Sequence, residues 1–250
     1  MPIKDILVHV DESLACDNRL RVAADLAVRF DARLNGVGLA ETVADKRFHV
    51  HLRRSGLAGE WHTGIGLPES FVTRCARVAD LVVLGQPDPG GPATSDTLES
   101  PAEVVFACGR SVLVVPYAMR FERDGQPVRV GETVLIGWNG SREAVRAVHD
   151  AHVLMTSDAT VLSVNPEDGT ERGVSDLVGH IARWGIEVRA EALSADDLSI
   201  SEMLLSRAAD IGADLIVMGA YGHARLRETI LGGVTRDVLR HMTVPVLMAH

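Results

Sequence analysis

The stretch that decides the fold occurs twice, as Ala79-Asp-Leu-Val-Val-Leu-Gly85 and as Ala213-Asp-Leu-Ile-Val-Met-Gly219, with five of seven positions identical. An opening apolar run also recurs, because residues 6–13 align with residues 134–141. The chain is therefore predicted to be a duplication of a unit of about 120 residues. The predicted domains are residues 1–116 and 132–250, and the polar residues 117–131 are the predicted linker.

Each unit alternates short apolar runs with amphipathic stretches. Nearly continuous apolar strands separated by helices indicate a parallel sheet that is covered on both faces. We predict an α/β fold of two tandem, doubly wound, five-stranded parallel-sheet domains of Rossmann-like type. In the second unit the predicted strands are residues 133–138, 160–164, 187–193, 215–219 and 244–248. In such folds the ligand crevice lies at the carboxyl ends of the strands, where the winding reverses.

Composition and charge exclude several classes of protein. The 34 acidic and 25 basic side chains give a formal charge of −9, which disfavours a general binder of nucleic acid. A hydrophobic content of 46% excludes intrinsic disorder. The apolar runs are far shorter than the roughly 20 residues that cross a bilayer, so no membrane association is expected.

Cysteine usage and the first residues indicate the compartment. Cys16, Cys75 and Cys108 are odd in number and form no CxxC pair, which favours reduced thiols. The opening Met-Pro-Ile-Lys-Asp has no basic region followed by an apolar one, unlike a signal peptide. We expect a cytoplasmic protein.

Two loops of the second unit occupy the expected ligand edge. Asn139-Gly140-Ser141 follows the first strand, where the Asn139 amide could bond a ligand and Ser141 is a natural helix N-cap. The alternative for this loop is a turn and a cap with no ligand. The second loop contains Gly219 and Gly222 and, nine residues later, Gly232-Gly233-Val234-Thr235 at the start of a helix.

The second loop has the composition of an anion site. Glycines let the backbone approach an anion closely, and the N–H groups at a helix start attract negative charge. The predicted helix start is surrounded by positive or potentially positive side chains, namely His223, Arg225, Arg227 and Arg236. We interpret the loop as a phosphate-binding loop.

The spacing G-x2-G-x9-G, the "ADLIVMG" strand and the closing "VPVLM" strand resemble the universal stress protein family. The resemblance covers both units and implies a tandem protein of that family. It implies an adenine nucleotide, ATP foremost and with or without Mg²⁺, whose phosphates lie on Gly222, Gly232 and the following residue. It also places the ribose near Asn139 and the adenine beside Val164 and Asn165.

The chain departs from the family pattern at two positions of the second unit. The family usually has Ser or Thr after the third glycine, where this chain has Gly233 and, two residues later, Thr235. The first loop of the family more often carries Asp, as at Asp11, but the second unit has Asn139. One hydroxyl and one carboxylate are therefore missing from the expected site.

The first unit has acidic residues where the second has glycines. Asp88 and Glu99 align with Gly222 and Gly233. The sequence Ser100-Pro-Ala-Glu103 predicts a capping box with proline at the first helical position, which would satisfy the N–H groups that a phosphate needs. We expect this unit to keep the fold and to have lost nucleotide binding of this kind.

No catalytic residue and no metal site is predicted. The chain has no GxxxxGK[ST] loop, no GxSxG motif and no recognisable pair of nucleophile and base. His49 and His51, predicted in a strand or loop, could place two imidazoles on one side, with a structural role as the alternative. His149 and His152 are interpreted as part of an exposed helix face.

Three functions remain open at this point. The first is a cytoplasmic stress-response regulator that binds an adenine nucleotide in its second unit without turnover. The second is a slow ATP hydrolase or phosphotransferase, which the lack of an evident general base near the glycine loop disfavours. The third is a protein-interaction module whose site is empty or takes another ligand.

The final strands predict how the units associate. Residues 111–116 and 243–249 are β-branched segments at the ends of their units, and edge strands invite pairing. Single-unit members of the family look like dimers joined through this strand. We therefore expect an intramolecular pseudo-dimer, with a further homodimer as an additional expectation.

Overall fold

The chain divides into two compact units, residues 1–119 and 120–250. The computed structural model describes residues 2–39, 43–91, 97–123, 125–166, 170–195, 198–220 and 233–250. No helix within these ranges is long and apolar enough to cross a bilayer.

Unit 1 is a five-stranded parallel sheet in the order β5-β4-β1-β2-β3. Its elements are β1 (Asp5–His9), α1 (Cys16–Phe30), β2 (Arg33–Gly38), α2 (Val43–Ser55), β3 (Trp61–Thr63), α3 (Pro68–Ala76), β4 (Leu81–Gly85), α4 (Pro101–Ala107) and β5 (Val112–Val115).

Unit 2 begins with an antiparallel pair, β6 (Glu122–Arg123) and β7 (Gln126–Pro127), and continues as a parallel sheet in the order β10-β9-β8-β11-β12. Its remaining elements are β8 (Thr133–Gly137), α5 (Arg142–Ala151), β9 (Asp158–Val164), α6 (Thr170–Ala182), β10 (Glu187–Leu193), α7 (Ile200–Asp210), β11 (Leu215–Gly219), α8 (Gly233–His241) and β12 (Val246–Ala249).

The prediction of two doubly wound parallel sheets is confirmed. In each unit the chain winds outward from the first strand and then returns to its other side, so the winding reverses between β1 and β4 and between β8 and β11. The central strands are buried and aliphatic, as in the run 134–136, because both faces of a parallel sheet are covered. The last strand of unit 2 begins two residues later than predicted, after Pro245.

An aspartate before the fourth strand of each unit holds the start of the first strand. In unit 2 both carboxylate oxygens of Asp214 accept backbone N–H bonds, Oδ1 from Gly131 and Oδ2 from Thr133, at 2.5 and 2.8 Å. In unit 1 one oxygen of Asp80 accepts both bonds, from the N–H groups of Lys4 and Asp5. Asp214 therefore uses both of its carboxylate oxygens for these backbone bonds, whereas Asp80 uses one.

This difference predicts unequal effects of an isosteric substitution. Asp80→Asn can keep both bonds on its amide oxygen, whereas Asp214→Asn must turn an NH₂ group toward a backbone N–H. We expect Asp214→Asn to cost about 1–3 kcal/mol more unfolding free energy than Asp80→Asn, since a buried donor left without an acceptor costs about that much. Urea denaturation of both variants measures it, and equal costs would contradict the assignment.

Candidate functional site

The site predicted in unit 2 lies where three neighbouring strands end. Gly137, at the end of β8, pairs with Leu162 on β9 and with Met218 on β11. The loops that follow these strands therefore leave the sheet at one edge, beside the reversal of the winding. Asn139, Asn165 and Gly219 come from these three strand ends.

The first loop forms the turn and cap that its sequence predicts. The Oδ1 atom of Asn139 accepts the N–H of Ser141 at 3.1 Å, and Oγ of Ser141 accepts the N–H of Ala144 at 3.2 Å. Gly140 has a φ of 70°, which glycine adopts without strain. The loop is thereby fixed on the first turn of α5, with Asn139 exposed.

Gly219 allows a close contact between the end of β11 and the start of α5. A Cβ atom on Gly219 would lie 2.4 Å from the backbone nitrogen of Ala144 and 2.7 Å from the carbonyl carbon of Glu143. Only glycine fits there, because both neighbours are backbone atoms. The structure thus gives Gly219 a packing reason independent of any ligand.

Glu143 is a site residue that the sequence analysis missed. Its side chain is 5% exposed and lies beside Gly219, and Oε1 accepts a bond from Nε of Arg142 at 2.6 Å. Burial alone would raise the pKa of Glu143, but the hydrogen bond from Arg142 and those from nearby groups outweigh it and lower the pKa. The edge therefore carries one ionised carboxylate. The sequence does show an acidic residue in the first turn of a helix, but it does not show that this residue is buried.

Val164 and Asn165 lie at the end of β9, the second strand of unit 2's parallel sheet. Val164 is half-buried, and Asn165 is exposed with a φ of 49°, in the left-handed region. The Oδ1 atom of Asn165 accepts the N–H of Ala195 at 2.7 Å, so this side chain ties the end of β9 to the segment after β10.

Only the two ends of the glycine loop lie within the described residues. Its central residues lie outside the described residues, namely Gly222, His223, Arg225, Arg227 and Gly232. Helix α8 begins at Gly233. Gly233 and Arg236 are exposed, Val234 is half-buried and Thr235 is 3% exposed.

In unit 1 a buried ion pair occupies the corresponding strand end. Asp11 and Arg19 are 1% and 3% exposed and form a salt bridge, and Ser13 donates to Asp11 through its N–H and its hydroxyl. Burial would raise the pKa of Asp11, but the Arg19 guanidinium and these bonds lower it. The Arg19 guanidinium also lies against Gly85, where a Cβ atom would overlap it.

A carboxylate from α3 occupies the start of the last helix of unit 1. The Oε1 atom of Glu69 accepts the N–H groups of Glu99 and Ser100, at 2.9 and 3.3 Å. The Ser100 side chain makes no capping bond, so the predicted capping box is wrong, although Pro101 is the first helical residue as predicted. Glu69 reaches these amides because α3 and α4 pack together, which local sequence cannot reveal.

The histidine pair His49 and His51 lies on helix α2, so its prediction in a strand or loop is wrong. His49 pairs with Asp45 one turn earlier at 2.6 Å, and His51 lies 3.5 Å from a carboxylate oxygen of Asp17 on α1. Among the described residues no group of three or more His, Cys, Asp or Glu side chains can hold a metal ion.

Known proteins resemble this chain in sequence and in fold. The family model described as the universal stress protein family matches residues 132–250. A universal stress protein of Synechocystis sp. is 41% identical over 83 residues, 33% of this chain and 27% of that protein. One from Methanocaldococcus jannaschii is 40% identical over 47 residues, 19% of this chain and 29% of its own. The matched stretches thus span little more than a quarter of either relative.

A solved structure matches the whole chain in fold. The crystal structure of a universal stress protein from Archaeoglobus fulgidus aligns with 98% of this chain and 97% of its own, at a TM-score of 0.72 and 17% identity. The likeness extends through both units and concerns the fold. Residues 132–250 thus match the universal stress protein family, and the chain as a whole shares the two-unit fold of a solved universal stress protein.

Proposed function

We propose that unit 2 binds one adenine nucleotide, ATP foremost, at the carboxyl ends of β8, β9 and β11, and that the protein acts as a cytoplasmic nucleotide-dependent regulator in the stress response. The phosphates would lie on Gly222, Gly232 and Gly233, and the adenine beside Val164 and Asn165. Asn139, on the capped loop before α5, would face the ribose.

This proposal rests on one difference between the units. The third helix of each unit has a glutamate in its first turn, and the two glutamates accept hydrogen bonds from different groups. In unit 1, Glu69 from the first turn of α3 lies on the amides before α4. In unit 2, Glu202 from the first turn of α7 accepts instead from the N–H and hydroxyl of Ser199, at 2.8 and 2.7 Å, within its own capping box. The start of α8 therefore has no such internal carboxylate among the described residues, and an external anion can take that role.

The two units also differ at the end of the fourth strand. Arg19 of unit 1, which fills the space beside Gly85, aligns with the small buried Ala147 of unit 2. Unit 1 thus supplies a buried ion pair and a carboxylate on the helix amides at this edge, while unit 2 supplies backbone donors and small side chains beside the carboxylate of Glu143. This favours one nucleotide per chain.

The residues present fit Mg²⁺ only as a companion of the phosphates. Mg²⁺ in nucleotide sites is held by one or two carboxylates together with phosphate oxygens and water. Glu143 offers one buried carboxylate at this edge, and it would hold the ion or orient one of its waters.

Titration calorimetry of the full chain with ATP tests the proposal directly. We expect one site per chain, and we expect the complex to release no inorganic phosphate over hours. Affinity should fall as salt rises, since Arg236 and the arginines of the loop are screened over about 10 Å at 0.1 M salt. Two equivalent sites would contradict the assignment to unit 2, and phosphate release would favour the slow hydrolase. The pseudo-dimer through the final strands and a further homodimer stay predictions.

A further inference from the structure

A cleft lies between helices α5 and α6 of unit 2. It has a volume of about 250 Å³ and is lined by, among others, Trp138, Val145, His149, Asp176, Leu177 and His180. A cavity of about 150 Å³ already accommodates a benzene ring. The cleft therefore has room for a one- or two-ring molecule.

The matching surface of unit 1 carries different residues. There Asp17 on α1 lies 3.6 Å from Arg47 and 3.5 Å from His51 on α2. These three polar residues bridge the two helices. Phe48 of α2 is wholly buried.

Unit 2 has different residues at the matching positions. Aligning the buried faces of α2 and α6 places Phe48 at Leu177 and Arg47 at Asp176, and the repeat places Asp17 at Val145. Leu177, which lines the cleft, is smaller than the phenylalanine at the matching position of unit 1. Asp176 has lost the partner on α5 that its counterpart pairs with, and its carboxylate forms no ion pair with any described residue.

Aromatic rings form one wall of the cleft. The His180 ring lies in an aromatic group, tilted against His149 and edge to face with Trp184, with ring centroids 5.4 and 4.8 Å away. Trp138, His149 and His180 all line the cleft, and Asp176 adds a carboxylate beside them.

We propose that this cleft binds a small planar aromatic cation, a ring that carries an amine or amidine group. The ring would lie against Trp138 and Leu177, because aromatic and aliphatic walls bury flat apolar surface. Its positive group would pair with Asp176, and the indole would add cation–π attraction. This proposal does not depend on the proposed nucleotide site.

Benzamidine is the first probe, with tryptamine as the two-ring probe and benzoate as the control of equal size and opposite charge. Saturation-transfer NMR and calorimetry on the full chain should detect benzamidine with a Kd near or below about 1 mM, a realistic strength for so small a ligand. Benzoate should not bind. Equal binding of benzoate, or no saturation by either cation, would overturn the proposal.

Two variants locate the binding. Asp176→Asn should weaken benzamidine at least about tenfold, because it removes the ionic partner, while Glu187→Gln, at an exposed carboxylate on β10, should not. Leu177→Phe restores the side chain that unit 1 carries and should abolish binding. Its melting temperature reports whether it folds, and the surface variant Asp176→Asn keeps the test decisive if it does not. Benzamidine binding that survives Asp176→Asn unchanged would refute the site.

Discussion

Valine at Gly222 or Gly232 is expected to abolish ATP binding, with a loss of at least about 100-fold in affinity. The proposed contacts are backbone N–H groups, which reach a phosphate only where no side chain stands between them. A β-branched side chain removes that approach and cannot be moved aside by a rotamer change. Calorimetry with ATP measures the loss, which corresponds to about 2.7 kcal/mol or more.

The matched control is Gly90→Val, in the loop after β4 of unit 1. A Cβ atom on Gly90 has the Asp88 carboxylate oxygen, at 3.7 Å, as its nearest neighbour, so the change is tolerated. If only unit 2 binds, Gly90→Val leaves affinity and stoichiometry unchanged. ATP binding that persists in both Gly222→Val and Gly232→Val would remove the glycine loop from the site.

Gly219→Ala is expected to destabilise unit 2 strongly, because the added methyl group meets backbone atoms. The new Cβ would lie 2.4 Å from a backbone nitrogen at the start of α5, and neither helix nor strand can yield without losing its packing. We expect a loss of about 3 kcal/mol or more in unfolding free energy, at the upper end for overpacking. Because α5 carries the Asn139 loop, ATP affinity should fall as well.

Gly137→Ala, on the neighbouring strand β8, is the control for this effect. Its Cβ would lie 3.1 Å from Cδ2 of Leu204, the far end of a flexible side chain that can shift. We expect a cost of no more than about 1 kcal/mol in denaturant unfolding. Similar costs for the two variants would mean that the contact between β11 and α5 is not the constraint we describe.

Much of the candidate site could be predicted because its signals are local. A serine after a strand and before an amphipathic stretch predicts an N-cap, and Ser141 forms one. A cap needs only a side-chain oxygen and an N–H three residues away, so the sequence contains all of it. The same logic failed at Ser100, because Glu69, about 30 residues earlier, occupies the amides before α4 instead.

Two of the misses come from contacts between segments distant in the chain. His51 lies beside a carboxylate of a neighbouring helix, and the burial of Glu143 depends on how closely α5 approaches Gly219. These contacts leave no pattern at a fixed spacing. The contact between His49 and Asp45 is different, because it spans one turn of α2 and was available from the sequence as a helical spacing.

The sequence by itself determined the duplication, the two doubly wound sheets and the sheet edge at which we propose the site, because repeated apolar runs at strand and helix periods can be buried in few ways. Only the tertiary structure decided which polar groups satisfy one another across that edge. It paired Arg19 with Asp11 and placed Glu69 on the amides before α4 in unit 1, and it kept Glu202 within its own helix in unit 2. It also left Asp176, beside an aromatic cleft, without an ion pair among the residues that the structure describes. The physical reason is that a buried or crowded polar group takes whichever partner the packing brings within about 3 Å.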